Sequence, residues 1–265
     1  MSNTHVVDCW VNLNPDRNKL GGSVGYLFTE ADGRLQSGAS EDEIVDLMRA
    51  SGITKGLLTI DHNNPEPALK AIERHPGVFF GAMKVDPHRG MAELRRMTQF
   101  ARDYPIKAVR VSGHYILKPY NDKIYYPVYA KCIELDLPIT ANVGIPGPLV
   151  PGAHQDPMAL DEVCWFFPEL KVVMTHIGEP WHYTCVKLML KWKNLYYMTS
   201  AFAPKYYPKE IIQYLNTRGS KKVMFASDYP LIGFERCMKE IGELKIRENV
   251  LPDFLHGNAE RVFGI

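Results

Sequence analysis

Short, nearly continuous apolar runs alternate along this chain with longer segments whose apolar residues recur every three or four positions. The runs are VVDCWVNL (6–13), ITKGLLTI (53–60), VFFGAMKV (78–85), IKAVRVSG (106–113), LPITANVG (137–144), LKVVMTHI (170–177), NLYYMTSA (194–201) and KVMFASDY (222–229). Runs without strict alternation predict parallel strands covered on both faces.

The intervening segments predict helices with recognisable ends. Ser40 and Glu43 make a capping-box pair before IVDLM, with Gly52 as a stop, and PEPALKAIERHPG closes on Pro76 and Gly77. Six further amphipathic segments follow, and NAERVFG makes a terminal helix. Eight strand-then-helix units predict a (β/α)8 TIM barrel, taken as a single domain over 1–265. The competing doubly wound sheet needs a Gly-rich phosphate loop after strand one, and the chain has none there.

Two connections break the short-loop rule: 14–39 after strand one and 144–157 after strand five. Both fall at the C-terminal face, where barrel enzymes keep their chemistry, and both are expected to act as walls or a lid.

With 265 residues, 46% of them hydrophobic, the composition is globular, and a net charge of +1 supplies no field to recruit nucleic acid or an anionic membrane. Five scattered cysteines, none in a CxxC pair, read as buried thiols in a reducing compartment. The N-terminus lacks a basic region leading into an apolar signal segment, so a cytoplasmic location is expected.

Period-two alternation places Asp8, Trp10 and Asn12 on one face of strand one. Lys84 and Asp86 follow strand three, and Arg110, Ser112 and His114 belong to strand four. Asn142 ends strand five, His176 strand six and Asp228 strand eight, with Glu179, Trp181 and His182 directly after strand six. Arg110 suits a clamp for a carboxylate or phosphate, or a bridge to Asp86 or Asp8. Trp181 and His182 also suit the start of the next helix. Trp10, Tyr26, Phe28, Tyr115, Trp181 and Tyr206 near the mouth favour a flat or apolar ligand.

VVDCWVNL, LPITANVG, VVMTHIGEPW, FASDYP and HGNAERVFGI together resemble the amidohydrolase superfamily, in the branch that includes aminocarboxymuconate semialdehyde decarboxylase. The resemblance implies a metal held by an HxH motif on strand one, a histidine at the end of strand five and the strand-eight aspartate. Here those positions carry Trp10, Asn12, Asn142 and Asp228. Indole is no ligand and amide oxygens are weak ones for zinc, so no metal or other cofactor is expected, zinc being disfavoured. The family's acid/base histidine matches His176.

These residues are expected to form a metal-independent hydrolase for a lactone, ester or thioester. Asp228 would activate water, His176 and Asn142, with Asn12, would hold the oxyanion, and Arg110 or Lys84 would fix an acidic group. Trp10, His114, Glu179 and Trp181 complete the expected substrate-binding set. The alternatives are a carboxy-lyase of the decarboxylase type, with His176 protonating carbon, and a catalytically inactive binding module. The partner implied is a small carboxylate or activated acyl compound, and the resemblance implies a homodimer.

Overall fold

The computed structural model describes residues 5–13, 27 and 38–265. Eight strands form one parallel sheet in sequence order: β1 Val6–Val11, β2 Ile53–Ile60, β3 Phe79–Lys84, β4 Ile106–Val111, β5 Ile139–Asn142, β6 Val172–Thr175, β7 Leu195–Met198 and β8 Val223–Met224. The backbone beyond β8 closes the ring. The amides of Cys9 and Asn12 donate to the carbonyls of Phe225 and Tyr229, at 3.2 and 3.0 Å, and Asp228 N donates to Trp10 O at 3.1 Å. The fold is the expected (β/α)8 barrel. The expected lid at 14–39, with Tyr26 and Phe28, lies almost wholly outside the described residues.

Helices cover the outside: α1 Glu41–Ala50, α2 Glu66–Arg74, α3 Met91–Asp103, α4 Tyr126–Glu134, α5 Ala159–Phe166, α6 His182–Lys191, α7 Lys209–Leu215, α8 Phe234–Glu243 and the terminal α9 Asn258–Phe263. The capping box at α1 forms, with Glu43 N donating to Ser40 Oγ and Ser40 N to Glu43 Oε2. One large apolar core lies between sheet and helices. A second fills the barrel with Val7, Cys9, Trp10, Leu57, Ala82, Ala108, Val173, Met198 and Met224, and includes Ala259, Val262 and Phe263 of α9. All five cysteines are buried and free. Among the described residues no helix is long and apolar enough to cross a membrane.

Strict alternation fails on β1, and the failure shapes the site. Asp8 pairs with Gly56 and Val11 with Leu58, so three steps on β1 oppose two on β2. This is a β-bulge, which shifts the phase of the strand. Cys9 and Trp10 therefore both join the inner cluster, whereas Asp8, expected beside Trp10, falls out of phase with it.

Asp8 instead ties β1 to the end of β8. Its Oδ1 accepts from Trp10 N and Ser227 N, both at 3.0 Å, and its Oδ2 from Ser227 Oγ at 2.5 Å. Burial nevertheless pushes its carboxyl from 3.8 up to about 6, against the pull of those hydrogen bonds. A carboxyl raised in the folded state contributes stability that is present below its unfolded value and is lost as pH rises through the folded one. In the window from about 4 to about 6 Asp8 thus works against folding as pH rises, by ~3 kcal/mol at about 1.4 per unit. Asp8→Asn should become progressively more stable relative to wild type across that window. Urea midpoints measured at successive pH values test this, and parallel curves for the two proteins would count against it.

Candidate active site

The strand ends at the C-terminal face gather one charged and polar cluster around Arg110. This residue lies inside the barrel on β4 and is 2% exposed. Its Nη2 donates to the carbonyls of Cys9 and Leu57 at 3.3 and 3.0 Å. Its guanidinium carbon sits 3.5 Å from the centroid of the Trp10 ring, so the indole face receives the charge. Its Nε and Nη1 are buried with no hydrogen-bond partner among the described residues. Burial lowers the guanidinium to about 9, which still leaves it a cation at neutral pH.

Asp228 and His176 both lie within this cation's field. Both hold left-handed backbone conformations, with φ of 62° and 61°, and Ile177 continues at 50°. Non-glycine residues rarely adopt this region, and such strain gathers at functional sites. His176 Nδ1 lies 3.7 Å from Asp228 Oδ2, and its ring packs 4.7 Å from that of Trp10. Burial raises the Asp228 carboxyl to about 6, partly offset by the Asn12 hydrogen bond and by the charges of Arg110 and Lys84. Burial, followed by the charge of Arg110, holds His176 down at about 3, so its imidazole is neutral.

Ser200 sets the histidine. Its oxygen accepts from His176 N at 3.2 Å and lies 3.0 Å from His176 Nδ1. With the serine hydroxyl donating to Nδ1, Nε2 carries the imidazole proton. Sequence reasoning missed Ser200 and Ser227, although both follow strand ends, in TSA and ASD.

Asn12 acts as a bracket. Its Nδ2 donates to Asp228 Oδ1 and to Tyr229 O, both at 2.8 Å, and its Oδ1 accepts from Thr59 Oγ1 at 2.6 Å. Asn142 Oδ1 accepts from Thr175 Oγ1 at 3.1 Å, and its backbone carbonyl takes the Tyr120 hydroxyl. His114 is buried in the single helical turn after β4, its Nδ1 2.5 Å from Gln155 Nε2. Since the amide nitrogen only donates, His114 accepts at Nδ1 and keeps its proton on Nε2, which has no partner among the described residues. Burial lowers this imidazole to about 4.

The remaining expected residues sit further out. Lys84 Nζ pairs with Asp61 at 3.1 Å. Trp181 precedes α6 as its cap residue, which fits the helix-start reading, and Glu179 is exposed. Glu179 meets the rim through its backbone: its carbonyl accepts from Ile145 N at 2.8 Å. That approach needs Gly144, at φ 103°, where an added Cβ would lie 2.8 Å from Glu179 O.

Solved structures resemble the whole chain. An uncharacterised TIM-barrel protein from Bordetella bronchiseptica is 19% identical with a TM-score of 0.82, covering 98% of each chain. A dihydroxybenzoic acid decarboxylase from Polaromonas sp., with bound manganese and the inhibitor 2-nitroresorcinol, is 16% identical with a TM-score of 0.74, covering 98% of this chain and 97% of that one. A probable 2-pyrone-4,6-dicarboxylic acid hydrolase from Acinetobacter baumannii, with citric acid bound, is 16% identical with a TM-score of 0.70, covering 98% and 99%. At these identities the likeness carries the fold alone. No curated protein matches the chain by sequence.

The expectation of no cofactor is corrected by these neighbours. Manganese is bound in the Polaromonas decarboxylase, so a divalent metal belongs to the chemistry practised on this fold. The donors of the cluster around Asp228 do not, as arranged, fit such an ion. Asn12 turns an N–H toward the carboxylate, its oxygen and that of Asn142 accept from threonines, and the Arg110 cation stands close by. The amidohydrolase family profile matches residues 7–265, nearly the entire chain, and the protein belongs to that family.

Proposed function

We propose that the protein is a hydrolase for a small carboxylate-bearing substrate with an activated carbonyl, such as a lactone, ester or thioester. The observation that supports this reading is the split between two neighbouring groups. Asp228 has its carboxyl raised to about 6, and His176, 3.7 Å away, is held neutral. A carboxylate with that affinity for protons is a competent base for water near neutral pH. A neutral imidazole with its proton on Nε2 is a hydrogen-bond donor for a developing oxyanion, and His114 Nε2 offers a second such donor. The unpaired Nε and Nη1 of Arg110 suit a substrate carboxylate, which would neutralise a buried cation. Asn12 holds Asp228 through one oxygen and leaves the other free of that bond.

A carboxy-lyase is the second reading, favoured by the several decarboxylases among the structural neighbours. It asks His176 to deliver a proton to carbon, a task for which an imidazole held at about 3 is poorly charged until substrate binds.

Asp228→Asn keeps the oxygen that accepts from Asn12, so the fold should persist while turnover falls by roughly 100- to 10,000-fold. Substrate affinity should change little, and an undiminished kcat would remove Asp228 as the base. In the wild type, kcat/KM should decline as pH drops through about 6, because only the ionised carboxylate accepts the water proton. Arg110→Met should weaken binding of the carboxylate substrate and let His176 titrate at a higher pH, since Arg110 disfavours the imidazolium. Imidazole nitrogen shifts followed by NMR read this directly, and an unmoved His176 titration would contradict the assigned field. Turnover in deuterium oxide separates the two reactions. Deuterium incorporated at carbon, and lost in His176→Ala, would favour the lyase, whereas its absence from product carbon favours hydrolysis.

A further inference from the structure

We propose that His5, His256 and Glu260 form a structural binding site for one zinc-class divalent cation at the N-terminal face of the barrel, at the opposite end from the catalytic cluster. His5 immediately precedes β1, His256 lies in a π-helical turn at Asp253–Gly257, and Glu260 lies in α9. The three residues offer ligand atoms that all lie within 4.8 Å of one another. Two imidazoles and one carboxylate are a donor set that zinc uses in proteins, with water as a fourth ligand. The side chains of His5, His256 and Glu260 are 37%, 30% and 33% exposed, so water reaches the place.

The contacts around His5 aim its ring at the shared carboxylate. Thr54 Oγ1 lies 2.6 Å from His5 Nδ1 and 3.2 Å from the Val6 carbonyl, and so fixes the ring of His5 from its far side. His5 Nε2 faces Glu260 Oε1, also 2.6 Å away. Either a ring proton or a metal ion can bridge these two atoms, and the metal takes both as ligands when they open to its bond lengths. The other carboxylate oxygen faces His256 Nδ1 at 3.2 Å, and the two imidazole centroids are 4.9 Å apart. Zinc bonds of about 2.0–2.1 Å place tetrahedral ligand atoms about 3.3 Å apart, so shifts on the order of an ångström complete the site. Thr54 serves as the outer partner that fixes ring orientation, a usual feature of metal-bound histidine. The π turn that carries His256 is a rare distortion that recurs at functional sites.

Such a site joins residues 255 apart in the chain. It would pin the segment entering β1 to α9, whose Ala259, Val262 and Phe263 pack with the barrel interior. An ion that binds only the folded chain stabilises it by mass action.

The test uses the full chain without an affinity tag, stripped with chelator and titrated with zinc or cobalt. Wild type, His256→Ala, Glu260→Gln and Asp228→Asn are compared by bound metal, melting temperature and the visible spectrum of the cobalt form. Zinc should raise the melting temperature of wild type and Asp228→Asn by several degrees. His256→Ala and Glu260→Gln should each bind one equivalent less and lose both that rise and the four-coordinate cobalt bands. Glu260→Gln preserves shape and supplies the answer if His256→Ala does not fold. Equal metal uptake and equal thermal gain in all four proteins would overturn the proposal. So would a site that holds only a proton, in which wild type takes up no zinc that Glu260→Gln lacks.

Discussion

A guanidinium buried inside the barrel is the constraint around which the rest of this site is organised. Taking a cation out of water costs several kcal/mol, so Arg110 obliges its surroundings to compensate. Two strand carbonyls, the face of Trp10 and the carboxylate of Asp228 share that task. Each compensation has a chemical consequence. Trp10 is held as a wall, Asp228 is drawn back toward ionisation against its burial, and His176, kept neutral first by its own burial, is pushed further from protonation. Burial pushes the two neighbours apart, raising the carboxyl and lowering the imidazole, while the one fixed charge lowers both, so a carboxyl near 6 stands beside a neutral ring.

The barrel was legible because eight apolar runs and eight amphipathic segments each bury a face that only a closed α/β layer can cover. The ends of those runs were read too long: β8 was expected over 222–229 and spans Val223–Met224. The residues from Phe225 onward leave the ladder with β7 and pair with β1, and hydrophobicity is blind to which neighbour a strand chooses. The bulge on β1 was hidden for a related reason. A one-residue slip changes the register between strands, whereas composition records only the run itself.

For the site, position was legible and partnership was not. Strand-end placement found Trp10, Asn12, Arg110, His114, Asn142, His176 and Asp228, since a barrel gathers those positions about one axis. That Asn12 would bracket Asp228, 216 residues away, is a contact that no local pattern encodes. The same holds for Ser200, whose hydroxyl orients His176 from the neighbouring strand end. Glu179 and Trp181 show the converse. Closeness in sequence to His176 made them candidates, yet the chain turns at Gly178 and leaves one exposed and the other capping a helix.

The contacts joining β1 to the end of β8 couple the two faces of the barrel. Above, the same pairing delivers Trp10 and Asn12 to Asp228; below, the segment entering β1 meets α9 through His5 and Glu260. Asp8 sits between them, fastening Ser227 to the bulge that turns Trp10 inward. A barrel enzyme needs its catalytic loops free to vary and its opposite face fixed, and here both requirements bear on one seam. Loosening that seam from below would therefore reach the Asp228–His176 geometry through β1 itself, with no change to a residue at the mouth.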